Sequence, residues 1–281
     1  MHTQLPTEYE KHIKRWRLDT LTSIVDEFDS ALAEKIHHKF VVAHNYQNIL
    51  LQLAGKSIVT FREVICVSAN GYPDGALSLA RNLYEQFITL SFFETHRQDI
   101  NFEEYVEDFF SDYEIQRCKA LEYEAKHCQN DLKEWEKLRA QHNSILGNAH
   151  HDGKGDYWWT GLGSFVDVVE DIRKDLDSEK MSKFLAFLHL LYKRACLSLH
   201  ASCFGNTIRL GVDGDFVGVD TSRQKNGHEV ALHLATSSFT LITGVVCKEF
   251  GIDNQTFTDR LNDLMLFYGK VFSSEYTEID S

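Results

Sequence analysis

The chain has 281 residues, of which 43% are hydrophobic and 12% aromatic, so it holds enough apolar side chains for one large core. Its formal net charge of -13 disfavours a constitutive DNA or RNA binder, because the surface repels phosphates at long range. The six cysteines form no CxxC pair, and the first residues form no apolar run of signal-peptide type. We therefore expect a reduced, cytoplasmic protein with no membrane segment.

Helical spacing of apolar residues dominates the first third of the chain. It predicts one amphipathic helix over residues 6–38, packed on the core. A second helix is predicted for about residues 40–69, and the turn at residues 70–74 leads into a third helix through Phe93. Because the connecting turn is short, we expect the second and third helices to pack side by side.

The middle of the chain is charged and carries spaced aromatic residues. Residues 101–145 are typical of two long, half-exposed helices. Residues 147–156 are rich in turn formers and run into Tyr157, Trp158 and Trp159, which predicts a surface loop held by aromatic side chains. A short helix follows at about residues 164–174.

The run FLAFLHLLY at residues 184–192 is apolar on all sides and predicts a central, buried helix over about residues 180–210. Residues 211–227 are read as a small hairpin or an irregular loop. Two further helices are expected at about 228–250 and 254–272, followed by a frayed tail at 273–281. Together these elements predict an all-α multi-helix bundle of about eight or nine helices, forming a single domain over residues 1–281 with its core at about 40–250.

Three stretches of the chain form a recognisable set: NGYPDGALSLARNLYEQFITLSFFE at 70–94, DYWWTGLGSFVDVVEDI at 156–172 and LYKRACLSLHASCFGN at 191–206. Together they resemble DUF5677, a bacterial family of unknown function. In that family an early helix carries an Arg followed four residues later by Glu, a tryptophan-containing loop leads into a helix, and a later helix reads Tyr, Leu-Ser and then His. The resemblance covers about residues 40–250 and implies no known reaction.

The same helical layout also resembles the HEPN domains, many of which are metal-independent ribonucleases of toxin and phage-defence systems. These carry an Arg and a His separated by four to six residues, and five residues separate Arg194 from His200. HEPN nucleases usually place a polar residue directly after the Arg, whereas this chain has Ala195. The resemblance implies that Arg194 and His200 are catalytic, with RNA as the substrate and with no cofactor or metal.

On one regular helix Arg194 and His200 lie about 240° apart around the axis and about 9 Å along it, so they do not share a face. A catalytic pairing therefore requires a helix distortion or a composite site in a homodimer. In that mechanism His200 exchanges protons with the 2′-hydroxyl or the leaving oxygen, and Arg194 stabilises the charged phosphorane. The alternative is that Arg194 reaches the surface through its long stem and His200 is a hydrogen-bonded core histidine.

Arg81 and Glu85 are four residues apart on a mostly apolar helix, so they should touch, either as a structural pair or at the edge of a pocket. Further candidates for pocket or substrate contact are Tyr84, Ser198, Asn206 and His151. Trp158 and Trp159 either stack on bases or, as we expect, anchor their loop to the core. Cys196, His200 and Cys203 line one helix face, but ligands from one straight helix cannot surround a metal tetrahedrally, so we expect no metal there.

The sequence lacks G-x-x-x-x-G-K-[ST], G-x-G-x-x-G, G-x-S-x-G and H-E-x-x-H, so the corresponding nucleotide, hydrolase and protease chemistries have no signature. Three functions stay open. The first is an RNA-cleaving dimer, and the second is a non-catalytic interaction or sensor module in which the polar groups fix helix register. The third is a small-molecule pocket bordered by Arg81, Glu85 and His200.

Overall fold

The computed structural model describes residues 5–36, 45–128, 136–137, 139–140, 143–144, 147, 149–150, 155–199, 210–213, 216–219, 227–253 and 255–277. Helices account for most of these residues, and the sheet they contain is a two-stranded hairpin. The all-α multi-helix fold predicted from the sequence is therefore confirmed.

The helices are α1 (Leu5–Arg15), α2 (Leu18–Ile36), α3 (Tyr46–Ala69), α4 (Pro73–Thr95), α5 (Phe102–Cys128), α6 (Phe165–Asp175), α7 (Glu179–Leu199), α8 (Glu229–Phe250) and α9 (Gln255–Thr277). A single 3₁₀ turn, Trp158–Thr160, precedes α6. Strands β1 (Leu210–Asp213) and β2 (Phe216–Val219) pair antiparallel, which confirms a hairpin near the predicted position. The second of the two helices predicted for residues 101–145 falls mostly outside the described residues.

Two compact units divide the chain. The first comprises Met1–Val41, Leu50–Leu90 and Lys183–Ser281, and the second comprises Val42–Ile49 and Ser91–Ser182. The helices α3 and α4 each contribute residues to both units. The expectation of one domain over residues 1–281 stays a prediction.

An aromatic cluster forms the centre of the first unit. The Phe61 ring of α3 stacks on the Phe239 ring of α8 with 4.4 Å between ring centroids. Phe28 of α2 meets Phe239 edge-on at 5.7 Å and Phe257 of α9 at 5.9 Å. Edge-to-face and offset-stacked rings are the arrangements that aromatic quadrupoles favour, so this cluster fixes four helices against one another.

The central buried helix is α8, and the expectation that α7 fills this role is wrong. On α7, Leu190 and Leu197 are 50% and 52% exposed, whereas most residues of α8 are buried. The reason lies in charge: α7 carries Lys183 and Lys193 within its length, whereas α8 has no charged residue between Glu229 and Lys248. Among the described helices α8 alone is long and apolar enough to cross a membrane, and 78% of its apolar window is buried inside the molecule.

The N-terminal segment forms two helices, so the single helix predicted over residues 6–38 is wrong. The break lies at Trp16 and Arg17, where Arg17 has a φ of 51°. The Tyr268 hydroxyl of α9 donates to the Trp16 carbonyl oxygen at 2.5 Å, and the Arg17 guanidinium lies 4.2 Å from the Phe267 ring centroid. Contacts with a helix far along the chain therefore end α1, and these contacts override the local helical pattern.

The last described helix extends further than the sequence predicts. The sequence predicts a frayed tail at 273–281, whereas α9 continues through Thr277. The Ser273 hydroxyl donates to the Gly269 carbonyl oxygen at 2.8 Å, a bond within the helix. No proline interrupts this stretch, so the helix continues past its predicted end. Residues 278–281 lie outside the described residues.

Tryptophan side chains anchor the loop before α6 in the second unit. Trp159 stacks on Phe93 of α4 with 5.2 Å between ring centroids and meets Phe109 of α5 edge-on at 5.0 Å. The indole Nε1 of Trp158 donates to Asp112 Oδ1 at 2.6 Å. Both tryptophans are buried, at 1% and 3% exposure, so anchoring of the loop is confirmed.

A histidine joins the end of α4 to α6 in the same unit. The His96 ring lies between two carboxylates, with Nδ1 2.6 Å from Asp99 Oδ2 and Nε2 2.7 Å from Asp171 Oδ2. The two contacts therefore hold α6 to the C-terminal end of α4.

We predict that Gly269→Ala destabilises the protein, whereas Gly55→Ala stabilises it. A Cβ at position 269 would lie 2.9 Å from His233 Cε1, while nothing lies within 4 Å of a Cβ at position 55. Overpacking costs about 1–3 kcal/mol and alanine gains about 1 kcal/mol over glycine in a helix, so we expect Gly269→Ala to lose about 1 kcal/mol. Urea unfolding monitored by circular dichroism measures both changes. Equal stabilisation by both substitutions would contradict the close approach of α8 and α9.

Candidate functional site

A half-exposed ion pair on α4 forms the first part of the candidate site. Arg81 Nε donates to Glu85 Oε1 at 3.1 Å, which confirms the contact expected from their spacing. The two side chains are 35% and 27% exposed. Pairs of this kind add little net stability, so the arrangement leaves a charged but neutralised surface that solvent and ligands can reach.

Tyr192 of α7 adds a second donor to the same carboxylate. Its hydroxyl donates to Glu85 Oε1 at 2.9 Å, and its ring centroid lies 5.5 Å from Arg81 Cζ. The pKa of the Tyr192 hydroxyl is raised by burial and by the Glu85 carboxylate. Burial alone would lower the pKa of Arg81, but the neighbouring Tyr192 hydroxyl and the Glu85 carboxylate raise it overall. Arg81 therefore stays a cation and Tyr192 a neutral donor.

Aromatic packing supports Tyr192 from the core side. The His189 ring stacks on the Tyr192 ring at 5.6 Å between centroids, and the Tyr84 ring lies 5.2 Å from that of Tyr192. The Tyr84 hydroxyl is 3.4 Å from His189 Nδ1. Tyr84 is fully buried, so its part in the site is to support Tyr192 rather than to face solvent. We refer to Arg81, Glu85 and Tyr192 as the Arg–Glu–Tyr network.

The other sequence-predicted residues lie on or after the end of α7. Arg194 is half-exposed and follows Tyr192 by two residues on the same helix. The Ser198 side chain, His200, Asn206 and His151 fall outside the described residues. The pairing of Arg194 with His200 therefore stays a prediction, as does the sharing of one cleft with Arg81 and Glu85.

Two functional candidates were missed by the sequence analysis. Tyr192 stands at the end of the apolar run FLAFLHLLY, and it is the Tyr with which the family pattern Tyr, Leu-Ser, His begins, so that pattern was the available signal. His233 lies in the second turn of α8 and is 6% exposed. Burial lowers the pKa of His233 to about 4, and the nearby Tyr268 backbone opposes this shift only in part. The ring is therefore neutral at pH 7.

The fold and the network define an all-α protein with a polar site carried by α4 and α7. A family model described as "Family of unknown function (DUF5677)" matches residues 47–216, which is more than half of the chain. The chain belongs to this family, as its sequence resemblance indicated. The matched segment contains all three residues of the Arg–Glu–Tyr network. No curated protein and no solved structure matches the chain.

We predict that Tyr192→Phe lowers the free energy of unfolding by about 0.5–1.5 kcal/mol, because it removes one hydrogen bond and keeps the ring. Urea unfolding of Tyr192→Phe, Glu85→Gln and the double variant forms a double-mutant cycle that measures the coupling directly. We expect the double variant to lose less than the sum of the single variants. Strict additivity would show that the Tyr192 hydroxyl and the Glu85 carboxyl do not interact.

We predict that His233 makes the protein less stable in acid. Its folded pKa of about 4 lies below the ordinary 6.5, so its contribution to stability is present above pH 6.5 and is lost as the pH falls through about 4. The loss amounts to about 3 kcal/mol at most. His233→Gln cannot titrate, so its unfolding free energy should vary less between these pH values. His127→Gln, at an exposed histidine of α5, is the control and should follow the wild-type profile.

Proposed function

We propose that the protein is a ribonuclease of the HEPN type that cleaves RNA as a homodimer, with Arg194 and His200 as its reacting groups. The observation that carries this proposal is the composition of one face of α7. Leu190 and Leu197 are 50% and 52% exposed, and Arg194 lies between them. At about 100° per residue these three positions fall within an arc of about 60°.

An exposed Leu–Arg–Leu face suits an isologous dimer interface. In a two-fold symmetric contact the same patch meets itself, so the two copies of α7 would pack their leucines together. The two copies of Arg194 would then lie close to one another across the axis. This arrangement answers the problem that Arg194 and His200 do not share a face of one helix, because each site could combine residues of both protomers.

The proposed reaction is an internal transesterification. The 2′-hydroxyl oxygen attacks phosphorus, the bond from phosphorus to the 5′-oxygen breaks, and a 2′,3′-cyclic phosphate and a 5′-hydroxyl remain. His200 takes the proton of the 2′-hydroxyl or supplies one to the 5′-oxygen. Arg194 binds the non-bridging oxygens, where negative charge develops in the phosphorane.

The Arg–Glu–Tyr network is proposed to border the same cleft and to orient the RNA. Arg81 is a half-exposed cation whose charge is balanced by Glu85, so it can bind a phosphate without a strongly basic surface. A balanced charge at Arg81 agrees with the net charge of -13, because a chain with this charge repels nucleic acid at long range and binds it only at a local site.

A second candidate function is a non-catalytic interaction or sensor module. It is favoured by the internal bonding of the network, since Arg81 and Tyr192 both donate to one oxygen of Glu85 within the protein. Such bonding fixes the register of α4 against α7 without any ligand. In this reading the exposed leucines of α7 bind a partner protein, and Arg194 serves only that interface.

We predict that the wild-type chain, expressed in bacteria, arrests growth and fragments total RNA, whereas Arg194→Ala and His200→Ala do neither. Purified wild-type protein should cleave an RNA oligonucleotide in the presence of EDTA and leave a 2′,3′-cyclic phosphate. An oligonucleotide with 2′-deoxyribose at the cleavage site should resist, because it lacks the nucleophile.

The matched control is Lys193→Ala, which removes an exposed cation next to Arg194 on the same helix. It should retain activity if the effect of Arg194 is specific rather than a matter of net charge. Circular dichroism checks that each variant folds, and sedimentation of Leu190→Asp tests whether loss of the dimer removes the activity. Folded variants that behave like the wild type in every assay would refute the ribonuclease and favour the interaction module.

A further inference from the structure

His233 is a buried histidine, 6% exposed, and neither of its ring nitrogens makes a hydrogen bond of good geometry with the described residues. The backbone of Tyr268 lies near enough to oppose the lowering of its pKa, but it does not form such a bond with Nδ1 or Nε2. A neutral imidazole carries one N–H donor and one acceptor nitrogen. Buried polar groups without a hydrogen-bond partner are rare and unfavourable. The lack of well-formed hydrogen bonds at both ring nitrogens therefore needs a physical explanation.

Two hydroxyl groups near His233 in the sequence also lack hydrogen-bond partners among the described residues. Thr236 and Ser237 are fully buried, and among the residues that the structure describes their hydroxyl oxygens have no hydrogen-bond partner. At three and four residues after His233 they lie on its face of α8, where side chains at this spacing are neighbours. Elsewhere on the same helix Ser238 and Thr243 donate to carbonyl oxygens of Leu234 and Phe239. Hydroxyl groups on α8 can therefore donate to a carbonyl oxygen of the same helix, but those of Thr236 and Ser237 do not.

Neighbouring helices enclose the imidazole ring. Phe187 of α7 meets it edge-on with 5.5 Å between ring centroids. On α9, Gly269 leaves the ring room, since a Cβ there would lie 2.9 Å from His233 Cε1. The His233 ring therefore lies in the interior of the first unit, between α7, α8 and α9, and Thr236 and Ser237 are fully buried on the same face of α8.

We propose that His233, Thr236 and Ser237 bind a small uncharged hydrogen-bonding molecule inside the first unit. Each of the three groups offers both a donor and an acceptor, which matches a ligand with the same neutral character. The lowered pKa of His233 keeps its ring uncharged at pH 7, so the ring does not attract an anion as an imidazolium would. Water and a small polar solute share this chemistry. The site is independent of Arg194 and of the proposed ribonuclease.

Isosteric substitution tests whether the hydroxyl of Thr236 has a bound partner. Thr236→Val keeps the shape, so it should raise the unfolding equilibrium constant about tenfold if a bound molecule loses its hydrogen bond. The control is Thr243→Val, at an equally buried threonine whose hydroxyl is satisfied within the helix. We expect Thr236→Val to destabilise clearly more than Thr243→Val, and Ser237→Ala to follow Thr236→Val.

A second measurement, on the wild-type protein, distinguishes a bound solute from bound water. Native mass spectrometry detects a retained solute as added mass that disappears after unfolding and refolding in plain buffer. With water as the ligand there is no added mass, and relaxation dispersion with isotopically labelled water reports long-lived molecules that Thr236→Val removes. Either result supports the site. The proposal is overturned if Thr236→Val is neutral, stabilising or no more costly than Thr243→Val, because the hydroxyl is then unbound or satisfied by its own helix.

Discussion

The stacking of Phe61 on Phe239 places α8 at the centre of the first unit, and burial of this helix constrains everything around it. A helix buried on nearly all sides must satisfy its side-chain polar groups internally, since no solvent can do so. Thr240 and Thr243 meet this demand by donating to carbonyl oxygens one turn back. His233 cannot, because an imidazole does not reach its own backbone in this way. The unusual chemistry of the unit is therefore concentrated at that residue.

The Arg–Glu–Tyr network obeys a milder form of the same constraint. Its carboxylate is half-exposed, and it accepts two donors at one oxygen, one from its own helix and one from α7. The network thus joins a local pair to a long-range contact and fixes the two helices in register. A site built this way is preorganised, because its charged groups are already oriented before any ligand arrives.

The spacing of residues along the sequence predicted those parts of the structure that depend on neighbouring residues. The Arg81–Glu85 contact follows from helix geometry alone, and so do most helix positions. The break at Trp16 could not be foreseen, because the group that satisfies its carbonyl is the Tyr268 hydroxyl on the last helix. The choice of α8 over α7 as the buried helix follows from the charged side chains of α7, Lys183 and Lys193, which a count of apolar residues alone ignores. The participation of Tyr192 required knowing which helices meet.

The bond between Tyr268 and Trp16 also bears on the order in which the chain acquires its structure. Its partners are 252 residues apart, and the Arg260–Glu27 pair spans 233 residues. During synthesis α1 and α2 emerge long before α9, with which they make these contacts. Until α9 is made, their apolar faces stay exposed. The second unit draws on a nearly continuous stretch, Ser91–Ser182, and can close earlier. Contacts between residues so far apart in the sequence slow folding. We therefore expect the first unit to complete its folding last.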